Sequence, residues 1–237
     1  MDTESQQPSA SPPEMALSQQ TRQRLLEAAG EVFAEYGYRA ATIRQICQRA
    51  GANVAAVNYH FRGKDKLYAE CVSYWLNEAL KKYPPDMGLT PDSTPQQRLH
   101  AFVRSFLYRI LDQSRHAWYG KLVARNLIEH TPYLDSCVEQ AIRPMAQRLH
   151  EIIRAIVGPK VGERDIRLAA LSIVGQIVLH RHSRPVIARL YPGLTYTAQD
   201  LERLAEHITQ FSLAGLDRLA ARAQRDTQAD QNSTGVS

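Results

Sequence analysis

Apolar residues recur along this chain at helical spacing, and the elements they predict follow one another with clear punctuation. Leu25, Leu26, Ala29, Val32, Phe33 and Tyr36 share one stripe of a first helix. Ser18 or Thr21 can cap its start, and Gly37 can take the left-handed conformation that ends a helix. Thr42-Ile43-Arg44-Gln45 has the spacing at which a hydroxyl and an amide side chain satisfy each other's backbone donors, and Ala50-Gly51 closes the short helix it opens. Asn53 caps a third helix that runs to His60. Phe61-Arg62-Gly63 then turns the chain into a fourth helix over 64–82, stopped by Pro84-Pro85. Thr94-Pro95-Gln96-Gln97 starts a fifth, carrying Leu99, Phe102, Phe106 and Ile110. Further helices are predicted at 117–130, 134–157, 163–182 and 198–222, with Pro144 expected to kink the second of these.

About nine helices and no strand define an all-α protein. The Pro- and Gly-rich loop 84–93 is the expected boundary between a domain over 18–83 and a larger helical domain over 84–222. Residues 1–17 and 223–237 are polar, lack periodicity and read as disordered tails. No uninterrupted apolar run is long enough to span a bilayer, and the acidic, Pro/Ser-rich start does not resemble a secretion signal, so a cytoplasmic protein is expected. Cys47, Cys71 and Cys137 are odd in number and never in a C-x-x-C pair, which suggests neither disulfides nor a zinc site.

The net charge of +5 is modest, but its distribution is uneven. Arg39, Arg44, Arg49, Arg62, Lys64 and Lys66 face a single acid, Asp65, between positions 39 and 66. That basic run coincides with two short helices joined at Ala50-Gly51-Ala52, the layout of a helix-turn-helix that sends its second helix into the major groove of DNA. Ile43, Ile46, Val57 and Phe61 would pack against Leu26, Phe33 and Leu67, leaving Asn53, Val54, Ala55, Asn58 and Tyr59 outward. Small Ala55 permits close approach to base edges, Asn58 can pair bidentately with adenine, and Val54 can meet a thymine methyl. Thr42, Arg44, Tyr59, His60 and Lys64 are the expected phosphate contacts, around base-facing Asn53, Val54, Ala55 and Asn58.

The segment from Thr21 to Tyr74, with its Val-Asn-Tyr-His-Phe run at 57–61, Gly63-Lys64 and the trailing Trp75, closely resembles the N-terminal domain of TetR-family transcriptional regulators. Residues 164–192 are similar to the C-terminal domain of the CecR-type subgroup. The resemblance implies a homodimer held by a four-helix interface of the last two helices, with a cavity for a small-molecule effector among the middle helices. It also implies an effector that repositions the fourth helix and resets the spacing of the two reading heads. Asn58 and Ala55 stand where many members have tyrosine and glycine, so this chain's base preferences are its own.

The C-terminal half supplies residues for both roles. Phe102, Phe106, Trp118, Tyr119, Leu122, Met145, Leu149, Ile152, Ile173, Gln176 and His180 mix aromatic surface with a few polar groups, as ligand pockets do. Leu168, Leu171, Ile173, Val174, Ile177, Val178, Leu204, Ile208, Phe211 and Leu216 are the candidate dimer interface. The sequence holds no H-E-x-x-H, G-x-S-x-G, C-x-x-C or G-x-x-x-x-G-K-[ST], which argues against an enzyme and against a cofactor. The expected function is a ligand-released repressor on a pseudo-palindromic operator of a transport or efflux operon. A metal-responsive regulator or an activator of the same fold is the alternative.

Overall fold

The computed structural model describes residues 12–111, 122, 135 and 138–234. Among these the regular structure is entirely helical: α1 (Pro12–Ala40), α2 (Ile43–Ala50), α3 (Val54–Phe61), α4 (Lys64–Lys82), α5 (Pro95–Leu111), a π turn (Val138–Ile142), α6 (Arg143–Val157), α7 (Glu163–His182), α8 (Arg184–Leu190) and α9 (Ala198–Thr234). They form two units, and the division falls inside α4, between Trp75 and Leu76, before the prolines that end the helix.

In the N-terminal unit, Leu25, Leu26 and Phe33 of α1 are fully buried with Ile46 of α2, Val57 and Phe61 of α3 and Leu67 of α4. Each large apolar side chain withdrawn from water in this way contributes roughly 1.5–3 kcal/mol. Tyr68 meets Phe33 edge-on, with centroids 4.8 Å apart. The Cys71 thiol and the Trp75 indole both donate to the Leu26 carbonyl, tying α4 to α1. Burial pushes the Cys47 and Cys71 thiols up, away from the reactive thiolate, as expected of core cysteines; Cys137 lies outside the described residues.

α1 starts at Pro12 rather than at Ser18 or Thr21, and Thr21 bonds back to the Leu17 carbonyl from inside the helix instead of capping it. Proline is well placed at a helix start, where its missing N–H would have had no partner. At the other end Gly37 breaks the helical path with φ 79 and ψ 168, a positive φ that favours glycine.

In the C-terminal unit, α5, α6, α7 and α9 enclose one core that includes Leu99, Phe102, Leu107, Leu149, Ile153, Ile177 and Ile208. The helix expected over 134–157 is described from Val138 on: a π turn, Val138–Ile142, passes directly into α6, with Pro144 in α6's first turn. Two expectations need correction here. The short helix α8 fills a stretch read as punctuation, with Pro185 at its first turn. α9 continues through Thr234 into the segment read as a tail, whose Ala-, Arg- and Gln-rich sequence contains no proline to stop it. The helix expected at 117–130 lies outside the described residues, apart from buried Leu122.

Candidate DNA-binding face

The second helix of the helix-turn-helix, α3, is fixed at both ends and along its inner face. Before it, Thr42 and Gln45 form the expected reciprocal cap of α2: the Gln45 N–H donates to Thr42 Oγ1 at 3.2 Å, and the Thr42 N–H donates to Gln45 Oε1 at 2.8 Å. Gly51 then takes the left-handed conformation, φ 60 and ψ 40, that lets the chain turn from α2 to α3. Asn53 caps α3 by accepting the Ala56 N–H on Oδ1 at 2.8 Å. That bond uses one of the two acceptor sites of its side-chain oxygen and leaves the amide NH2 uncommitted to the cap. Buried Val57 and Phe61 hold the inner face, and at the far end Arg62 adopts a positive φ of 56 while its N–H closes onto the Asn58 carbonyl.

The outer face of α3 is therefore the one anticipated. Asn53, Val54, Ala55, Asn58 and Tyr59 are exposed, Tyr59 at 78%. His60 is half-buried, its ring edge-on to that of Tyr59 at 4.9 Å. Burial, then the Arg22 charge, push His60 below its ordinary value, so it is neutral near pH 7.

Around this face the basic residues divide. Arg49 is engaged by Glu35 at 3.2 Å and Glu31 at 3.8 Å, which withdraws it from any anion. Arg44 is exposed on α2. Lys64, at the start of α4, donates to the Arg39 carbonyl at 3.3 Å and sits over the Tyr38 ring at 4.8 Å, so the turn after Gly37 orients its ammonium. Tyr38 was missed by sequence reasoning, because nothing local marks an aromatic ring 26 positions before a lysine as its platform. It also donates to Asp65.

The pocket residues anticipated in the C-terminal half fall in several places. Phe102, Leu149, Ile152 and Ile173 are packed in the core, with Phe106 and Met145 against it. Trp118 and Tyr119 lie outside the described residues, and Leu122 is buried and grouped with the N-terminal unit. Gln176 reaches Ser212 at 3.4 Å, and His180 Nδ1 lies 3.3 Å from the Tyr196 hydroxyl. A cleft of 580 Å³ opens elsewhere in this unit, lined by Met87, Leu89, His100, Arg104, Glu202 and Glu206 among others. There Arg104 and Tyr108 both bond Glu202 at 2.7 Å, and the Arg104 guanidinium is the main cause holding that carboxyl below the usual carboxylate range.

The candidate interface splits by burial. Ile173, Ile177, Ile208 and Leu216 belong to the chain's own core, a correction that follows from their position on the inward stripes of α7 and α9. Val174, Val178 and Leu204 are half-buried. Leu168 and Leu171 on α7 and Phe211 on α9 are exposed, the last two at 67%, and Leu179 extends the same outer stripe of α7. Among the described residues no helix is long and apolar enough to cross a membrane, and no group of three or more His, Cys, Asp or Glu could hold a metal ion.

A helix-turn-helix with an exposed, capped second helix, joined to a larger helical unit, defines the class: a one-chain DNA-binding regulator. Residues 25–71 match the family model for bacterial regulatory proteins of the tetR family, and residues 95–216 match the C-terminal domain of the HTH-type transcriptional dual regulator CecR. The chain belongs to the TetR family of transcriptional regulators, with a CecR-type C-terminal domain.

The chain is 26% identical to the HTH-type transcriptional dual regulator CecR of Shigella flexneri, over 81% of this chain and 89% of that protein. It is 28% identical to the HTH-type transcriptional regulator SrpR of Pseudomonas putida, over 68% and 71%. A similarity of 23%, over 84% of each, connects it to the HTH-type transcriptional activator FasR of Mycolicibacterium smegmatis. Its fold is similar to that of a tetR-family regulatory protein from Rhodococcus RHA1, with a TM-score of 0.60 at 24% identity, covering 82% of this chain and 95% of that one.

Proposed function

We propose that this regulator binds a pseudo-palindromic operator as a homodimer and is released from it by a small molecule held in the C-terminal unit. Asn53, Val54, Ala55 and Asn58 face base edges, and Thr42, Arg44, Tyr59, His60 and Lys64 contact flanking phosphates. The observation that carries this reading is the outer face of α3: small and amide side chains, exposed, on a helix whose ends are capped and whose inner side is core. The exposed Leu168, Leu171, Leu179 and Phe211 support a second copy of the chain as partner, since isolated subunits rarely leave such a stripe to water. The protein works in the cytoplasm, where its operator is, and controls a transport or efflux operon by repression.

Activation is the second reading, favoured by relatives named as a dual regulator and an activator. Footprinting of the purified chain on genomic fragments, followed by transcription in vitro from the bound promoter, tests both. Protection of two half-sites with reduced transcript supports repression; protection with increased transcript supports activation. No preference for any fragment over random competitor at low salt overturns operator binding itself.

A further inference from the structure

α7 ends in His180, Arg181 and His182, and α8 opens one residue later with Arg184. Cations in the last turn of a helix are ordinarily explained by its terminal carbonyls, which favour positive charge. Of those carbonyls, Leu179 O accepts the Ser183 N–H, while Ser183 O, just past the helix, accepts the Val186 and Ile187 N–H groups. Among the described residues, buried Arg181 Nε has no hydrogen-bond partner. Arg184 makes no ion pair among the described residues, and its guanidinium carbon stands over the Tyr196 ring, 4.9 Å from the centroid.

Burial and the Arg184 charge together hold the Arg181 guanidinium below its ordinary value, so the two cations are close enough to repel. An unpaired, half-buried guanidinium beside another is unfavourable unless an opposite charge offsets it. His180, at the Tyr196 hydroxyl, does not add a third charge near pH 7, because burial and His207 lower it.

We propose that Arg181 and Arg184 form a binding site for a small oxyanion, the carboxylate or phosphate group of an organic acid or ester, with the Tyr196 ring as one wall. Guanidinium groups suit either group, because their forked N–H donors match paired oxygens. The site does not rest on operator binding: it is measured without DNA, so either reading can fail alone.

Calorimetric titration of the full-length chain with inorganic phosphate and, separately, with hexanoate, each against sodium chloride at matched ionic strength, tests it. Saturable binding of either probe is expected, weakened by about tenfold or more in Arg181→Gln and in Arg184→Gln. Arg189→Gln should bind as the native chain does, because Arg189 is exposed and bonded to the Pro185 carbonyl. Phosphate alone would identify phosphate esters as the class, and hexanoate alone would identify carboxylates. Arg184 lies outside the core, so its variant keeps the test valid if Arg181→Gln unfolds. Heats that follow ionic strength only, or affinities equal in all variants, would overturn the proposal.

Discussion

Asn58 and Lys64 stand 6 positions apart and are assigned opposite tasks. Asn58 is exposed on the reading helix with its side-chain amide uncommitted to the cap, so Asn58→Ala should alter which base is preferred, by about 1–3 kcal/mol at one position. Lys64 is oriented by the Tyr38 ring and the Arg39 carbonyl, so Lys64→Ala should weaken binding to every sequence and reduce the salt slope by about one. Binding isotherms at several salt concentrations on matched and scrambled operators distinguish them, and identical behaviour would contradict the assignment. His180 gives a pH test in the folded chain. Its value is lowered by burial and then by His207, so the folded state binds fewer protons than the unfolded one. Its contribution to stability should be constant above the ordinary histidine value of about 6.5 and fall as pH drops below it. Urea melts from pH 7.5 to pH 5 should show a shallower loss in His180→Gln than in the native chain. At this scale the exposure of Asn53, Val54, Ala55 and Asn58 was legible in the sequence. The Lys64–Tyr38 contact and the unpaired Arg181 were not, because both depend on residues brought together by turns.

The caps of α2 and α3 show why short helices can be read from sequence: Thr42, Gln45, Gly51 and Asn53 act through bonds within three or four residues of themselves. Removing the reciprocal cap by Thr42→Ala should cost about 0.5–2 kcal/mol. Gly51→Ala should cost about 1–2 kcal/mol for its left-handed conformation, although its new methyl would meet only the Arg24 guanidinium at 3.9 Å. Chemical denaturation followed by circular dichroism checks both, and a neutral Gly51→Ala would contradict the strain argument. The stripes of α7 and α9 were harder. Helical spacing shows that Ile177, Ile208 and Leu171 are apolar, but not which neighbour each faces, and only the packed unit separates core from outer face. α8 escaped notice because seven residues hold too little periodicity to stand out between Ser183 and Tyr191.

For the whole molecule, the all-helical class and the helix-turn-helix followed from periodicity and capping, whereas the proposed assembly rests on surface that only the folded chain reveals. Leu171→Glu combined with Phe211→Glu places charges on the exposed stripes without touching the core. Sedimentation should show this variant as a monomer with its helical content retained, and operator affinity should fall with dimerisation. A dimer that survives both charges would move the interface elsewhere.

The most direct measurement varies the distance between the two half-sites of the footprinted operator. Two copies of α3 held by one dimer require both half-sites on the same face of the duplex, so inserting 5 base pairs, about half a turn, should reduce affinity to near that of an isolated half-site. Undiminished binding to the lengthened operator, or a lone half-site bound as tightly as the pair, would contradict the account.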